Sequence, residues 1–244
     1  MTKMNLVSKV LQTYDEVAAE YYDSYLHPTC ANFSELSSLF LRARLQPHSL
    51  DNINILEVGC GRSVVATILD GGGTSFNSLT LLDQSPLMLE HSRKWESRGA
   101  KLIIADAQHT SLPSANYQLL ISSLGDPYNG RAFWLEVSRL LTVGGTCLYT
   151  TPSFEWAQRF RRNFDMGAAE FLRTDGTKIL VRSEIPTTKK QIELIKDAQL
   201  DVEEVTPMTA SQLSTPPSSK LLLTDDTKDC PIVQCYRVIK PAKQ

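Results

Sequence analysis

A chain of 244 residues, 42% of them hydrophobic, can bury a sizeable core and has the length of a single α/β domain. A net charge of −2 without a long Lys/Arg run argues against nucleic acid as a partner; the Arg159, Arg161, Arg162 cluster reads as a solvated face or a contact for one anionic group. The five cysteines, Cys30, Cys60, Cys147, Cys230 and Cys235, are scattered and form no C-x-x-C, so neither a disulfide framework nor a metal site is expected. Met1-Thr2-Lys3-Met4 leads into a mixed helix and not an apolar signal core, and no run approaches the ~18 apolar residues of a membrane span. A cytoplasmic monomer or homodimer with no membrane contact is expected.

Residues 4–26 carry Val7, Val10, Leu11, Tyr14, Val17, Ala18, Tyr21 and Tyr22 at spacings of three and four, which predicts a helix broken at His27-Pro28-Thr29. A second helix is expected over residues 32–44, on Phe33, Leu36, Leu39, Phe40 and Leu41. The pattern then changes to short apolar runs separated by helical ones. Strands are predicted at 52–58, 79–83, 101–106, 117–122 and 146–150, and helices at 64–69, 86–96 and 133–141, with Gly144-Gly145 as a turn. Strands alternating with helices mean βαβ units and a parallel sheet covered on both faces. Beyond Pro152, runs at 170–173 and 178–182 flank Thr174-Asp175-Gly176-Thr177, a hairpin signal. A helix at 189–200 and strands at 202–205 and 232–238 complete the chain.

In such a sheet, ligands bind at the carboxyl ends of the strands. The first of these ends is Glu57-Val58-Gly59-Cys60-Gly61, where two glycines let a ligand approach the backbone. Asp83 ends the next strand, 22 residues past Gly61, close to the ~20 expected of an acid that accepts from a ribose diol. Gln84 follows it. Asp106-Ala107 can accept from an exocyclic amine, and Ser122 to Tyr128 lies at the mouth of the sheet. A dinucleotide fingerprint would put Gly or Ala where Val64 stands, which demotes NAD. Glu57 would repel a pyrophosphate but not a cationic ligand. Gly71-Gly72-Gly73 reads as a helix stop, since no Lys-Ser/Thr pair follows it.

Together these residues resemble the class I S-adenosylmethionine-dependent methyltransferases. Ile55 to Gly61 looks like their first motif, Asp83 like their ribose acid, Ser85-Pro86-Leu87-Met88-Leu89 like the following helix start, and Asp106-Ala107 like their adenine-side pair. Leu140-Leu141-Thr142-Val143-Gly144-Gly145-Thr146 resembles their L-L-x-x-G-G turn. Residues 14–23 resemble the covering helix of the small-molecule branch, which includes quinone and aconitate methyltransferases and in which one tyrosine, here Tyr14, touches the cofactor. The resemblance implies a doubly wound, mostly parallel seven-stranded Rossmann-like sheet with an antiparallel last strand. S-adenosylmethionine is the implied cofactor, held by Tyr14, Glu57, Gly59, Cys60, Gly61, Asp83, Gln84, Asp106, Ala107 and Ser122. Arg62 and Ser63 depart from the small residue usual after the glycines.

One domain is expected over 1–244: a helical cover at 1–50, the cofactor core at 51–151, an insertion at 152–185 and the last helix and strands at 186–244. Three places offer acceptor-side chemistry. His27, with Thr29, Cys30 and Asn32, fits a base near neutral pH, and equally a surface or capping residue. Asp126-Pro127-Tyr128 resembles the Asp/Asn-Pro-Pro-Tyr motif of amino methyltransferases with one proline missing, and equally fits a tight turn. Trp156, Arg159, Phe160 and Phe164 would make an aromatic wall with one anion anchor, or equally a structural flap or a dimer contact. The expected activity is in-line methyl transfer to a small-molecule or nucleotide-like acceptor, with His27, Asp126 and Tyr128 as catalytic candidates. The alternatives are amino methylation of nucleic acid or protein, and a binder of S-adenosylmethionine without catalysis.

Overall fold

The computed structural model describes residues 11–45, 53–71, 78–161, 167–221 and 229–242. Nine strands are placed there: β1 (Ile55–Val58), β2 (Leu79–Asp83), β3 (Lys101–Ile104), β4 (Tyr117–Ser122), β5 (Leu141–Pro152), β6 (Ala168–Leu172), β7 (Lys178–Arg182), β8 (Asp201–Met208) and β9 (Val233–Ile239). Seven form one sheet in the order β3-β2-β1-β4-β5-β9-β8, parallel from β3 to β5, with β9 antiparallel to both neighbours. β6 and β7 pair as a separate hairpin. The chain leaves β1 toward β2 on one side and returns to β4 on the other, so the strand order reverses at the carboxyl end of β1.

The central strands are continuous apolar runs because helices cover both faces. Neighbouring residues go to opposite layers: Ile55, Leu81 and Ile121 join one core, and Leu56, Leu82 and Leu120 the other. The first core takes Phe33, Leu36 and Phe40 from α1 (Pro28–Arg42) and Val65 and Leu69 from α2 (Val64–Gly71). After α3 (Pro86–Glu90), the second core takes Phe133 and Trp134 from α4 (Arg131–Leu140), with Trp134 edge-on and Phe133 tilted against Tyr149. After α5 (Phe154–Phe160), α6 (Thr188–Asp197) adds Ile195 to it. Truncating a side chain such as Trp134 to alanine costs about 3–5 kcal/mol.

Several expectations change. Residues 14–26 are not an α-helix: Tyr14–Glu16 is one 3-10 turn, and turns follow. Gln12 pairs with Val181 of β7, drawing the chain into strand contact, and the Asp23 carboxylate accepts from the N–H groups of Tyr25 and Leu26. The apolar spacing is genuine, but it serves the hairpin: Val17 joins Phe171, Ile179 and Val181 in a third cluster, with Tyr14 and Tyr21 against it. Residues 4–10 lie outside the described residues. Pro28 does not break a helix but starts α1 at its first position, where no N–H is needed. The helix expected at 86–96 ends at Glu90 and resumes as a 3-10 helix, Arg93–Arg98. Gly144 and Gly145 lie inside the long β5, where the register with β4 shifts; Gly144 takes φ +77° and bonds Lys240 through its N–H.

Candidate cofactor and acceptor site

The carboxyl ends of β1, β2 and β3 open on a cavity of about 520 Å³, within the range of small-molecule sites. Gly59, Cys60, Asp83, Gln84, Asp106 and Ala107 all lie in its wall, as does Tyr14. The β1 loop is shaped by two left-handed glycines, Gly59 at φ +60° and Gly61 at φ +40°. A side chain at Gly59 would run into the Tyr128 hydroxyl, and one at Gly61 into the Tyr22 hydroxyl. The glycines therefore admit two tyrosines as well as bare backbone. Tyr128 donates to the Val58 carbonyl at 2.9 Å and shares a 2.9 Å bond with Ser122, while Tyr22 accepts from the Arg62 N–H at 2.6 Å.

Asp83 holds the loop in register. Its carboxylate accepts from the N–H groups of Gly61 at 2.8 Å and Ser85 at 2.9 Å. Burial pushes its pKa up, and those backbone bonds oppose the shift. Each oxygen keeps a further lone-pair direction for a ligand hydroxyl. Asp106 closes a tight turn after β3, accepting from the Gln108 N–H at 2.9 Å. Two carboxylates at adjacent strand ends, beside apolar Leu82, Met88 and Ala107, form an acceptor set suited to a ribose diol and an adenine amine.

Other residues from the sequence reading sit elsewhere. Glu57 and Gly61 are outside the cavity wall. Glu57 is buried at the start of α2, where its carboxylate accepts from the Ser63 hydroxyl and from the N–H groups of Val64 at 3.0 Å and Val65 at 3.3 Å. Burial pushes its pKa up to about 7 against those bonds. Its oxygens thus accept from orphan N–H groups at the start of α2. Ser122 reaches the cavity only through Tyr128. Asp126 is also outside the wall; it accepts from the Ser183 hydroxyl, and its carbonyl accepts from the Glu184 N–H at 2.8 Å. Burial raises its pKa to about 6, with Ser183 and the nearby Arg161 opposing. Asp126-Pro127-Tyr128 is a 3-10 turn that ties β7 to the end of β4, with only Pro127 and Tyr128 in the wall.

His27 lines a second cavity with Cys30, whose thiol burial pushes up to about 12. Thr29 and Asn32 turn instead to the 215–218 loop. Trp156 packs edge-on against Phe33 and donates to the Lys220 carbonyl, and Arg159 is exposed. Arg162, Phe164 and the side chain of Phe160 lie outside the described residues. Gln12, Asp15 and Arg182 also line the cavity wall, although none is a site candidate in the sequence. Asp15 accepts from the Ser85 hydroxyl and the Leu87 N–H, clamping the N-terminal segment to α3. No local motif marks these three; they arrive through the pairing of residue 12 with β7 and the contact with α3.

Residues 56–149 match the family model described as a methyltransferase domain. No curated protein sequence matches. Solved structures share the fold at low identity. An S-adenosylmethionine-dependent methyltransferase from Mesorhizobium loti is 17% identical, with 82% of this chain and 96% of that chain covered and a TM-score of 0.59. One from Clostridium acetobutylicum is 13% identical, with 94% and 99% covered and a TM-score of 0.62. The putative methyltransferase in complex with the Trm112 methyltransferase activator of Haloferax volcanii is 15% identical, with 96% and 100% covered and a TM-score of 0.62. The sheet order is the fold of these methyltransferases, residues 56–149 match a methyltransferase domain, and S-adenosylmethionine is the cofactor they indicate.

Proposed function

We propose that this protein transfers a methyl group from S-adenosylmethionine to a small-molecule acceptor. The reading rests on Asp83 and Asp106 lining one cavity with the Gly59-Cys60 loop. When bound, the cofactor supplies an electrophilic methyl on its sulfonium. Asp83 then accepts from the ribose hydroxyls, Asp106 from the adenine amine, and the backbone at Gly59 and Cys60 faces the chain between them. Tyr14 and the β6–β7 hairpin exclude water, and close alignment of the two reactants supplies much of the rate.

A small acceptor is favoured over nucleic acid by how the basic side chains are used. Arg44, Arg93, Arg98, Arg139, Arg182 and Arg237 are each paired with a carboxylate, which leaves them poor phosphate anchors. Amino methylation through Asp126 is disfavoured because that carboxylate is engaged by Ser183 outside the cavity wall. Calorimetry with S-adenosylhomocysteine and with NAD tests the reading: heat is expected with the first and none with the second. Silence with S-adenosylhomocysteine sinks it. Labelled methyl transfer into a metabolite extract separates an enzyme from an inactive binder.

A further inference from the structure

Beside the cofactor cavity lies a second one of about 460 Å³, and the two share Tyr21, Tyr22, Ser34 and Arg62 in their walls. Its floor is one face of α1. Cys30, Ser34 and Ser38 recur every fourth residue, all small and weakly polar, so this face leaves room where Phe33, Leu36 and Phe40 fill the core. At the head of that face stands His27. It is only 8% exposed, and its Nε2 is buried with no hydrogen-bond partner. A buried polar atom left unpaired is costly and calls for a partner. The ring is fixed edge-on against Phe171, with centroids 5.5 Å apart.

We propose, on the reading that the first cavity holds S-adenosylmethionine, that the second holds the methyl acceptor, a phenol whose hydroxyl donates to His27 Nε2. Burial keeps His27 below its usual pKa; Glu20 and Asp23 pull the other way, and Lys220 adds to the lowering. The ring is therefore neutral at pH 7, and with its proton on Nδ1 the Nε2 lone pair accepts. The remaining ionisable groups in or near that wall are Arg62, set over the Tyr22 ring, Cys30, held as a thiol, and Glu35, which accepts from Ser214 and Thr215. Arg173 lies 3.7 Å from Glu20, outside it. Two carboxylates in the wall, Asp23 and Glu35, disfavour an anionic acceptor. Tyr21 and Tyr22, edge-on to each other at 4.9 Å, place two aromatic rings in the wall beside a flat acceptor. An aliphatic alcohol is too weak an acid for this imidazole, and a neutral amine needs no base before it attacks. In the reaction, the phenol O–H bond breaks with its proton passing to Nε2. The oxygen pair forms the new C–O bond, and the methyl–sulfur bond breaks with its pair staying on sulfur. The products are an aryl methyl ether, S-adenosylhomocysteine and an imidazolium that returns its proton to solvent.

Three measurements test this. Wild-type protein with S-adenosylmethionine should methylate at least one of phenol, catechol and 4-methylphenol. His27→Gln should lower kcat by about 100-fold or more, as expected of a lost general base, and should lose the rise in rate with pH that follows His27 deprotonation. Ser38→Trp fills only the second cavity, so it should abolish 4-nitrophenol binding, read by absorbance, while S-adenosylhomocysteine binds within twofold of wild type. If S-adenosylhomocysteine binds but no phenol is methylated, or Ser38→Trp binds 4-nitrophenol as wild type does, or His27→Gln turns over at the wild-type rate, the acceptor assignment is overturned and the cofactor reading stands. If S-adenosylhomocysteine does not bind to the wild type, both fall.

Discussion

At the scale of single residues, carboxylates decide the site, and burial sorts them. Asp83 already carries two backbone N–H bonds and still lines the cavity, so it serves the loop and the ligand together. Asp83→Ala should weaken S-adenosylhomocysteine binding by about tenfold or more, as for a lost charge-assisted bond, and isothermal calorimetry reads it directly. Unchanged affinity would remove Asp83 from the site. Glu57 makes a different claim. Its pKa stands at about 7 in the fold, above the unfolded value of 4.5, so the folded state holds the proton more tightly. Stability from that carboxyl is fully present below pH 4.5 and is lost as pH rises through 7. Glu57→Gln turns an amide toward donors that need an acceptor, and should cost roughly 1–3 kcal/mol at pH 5. The glutamine does not ionise, so its deficit against wild type should shrink between pH 5 and pH 8. Thermal unfolding of both proteins at the two pH values measures that gap, and a gap independent of pH would contradict the account.

At the scale of elements, the strands were legible and the cover was not. β2 and β4 fall on the residues that periodicity marks, because a strand buried on both faces is an apolar run whatever its neighbours are. Residues 14–26 show helical spacing too, yet their partner is a hairpin more than 140 residues later in the chain. Val17 and Tyr21 pack on Phe171, and Gln12 exchanges bonds with Leu180. A pattern of apolar residues says that a segment is buried; only the tertiary partner says in which conformation. The N-terminal segment and the β6–β7 hairpin therefore act as one cover, pinned at its centre by Phe171. Phe171→Ala should loosen both pieces at once. Limited proteolysis should cut residues 11–26 and 168–182 several-fold faster than in wild type, and S-adenosylhomocysteine should slow both cuts. Faster cleavage in the hairpin alone would mean that the two pieces are independent.

At the scale of the whole molecule, the fold gathers what the sequence scatters. Gly59, Asp83 and Asp106 stand 20 or more residues apart, and a parallel sheet whose order reverses at β1 sets them side by side. That much follows from strand ends alone, which is why the cofactor cavity could be outlined in advance. The second cavity could not, since its wall joins His27 and the small residues of α1 to Tyr21, Tyr22 and Arg62 from segments with no common period. The cofactor cavity also couples the covering segments to the core, because Asp15, Tyr14 and Arg182 share its wall with Asp83. A ligand there should stabilise the chain as a unit. At one hundred times its dissociation constant, a ligand of the folded state adds about 2.7 kcal/mol. For a chain of 244 residues, S-adenosylhomocysteine at that level should raise the unfolding midpoint by roughly 5–11 °C, using ~2–4 °C per kcal/mol. NAD at the same concentration should leave it unmoved, because Val64 stands where the dinucleotide turn wants a small residue. Differential scanning calorimetry gives both numbers. A single transition that moves whole with S-adenosylhomocysteine is the expected record; a split transition, with only one part shifted, would show that the cover and the core are not coupled through the cavity.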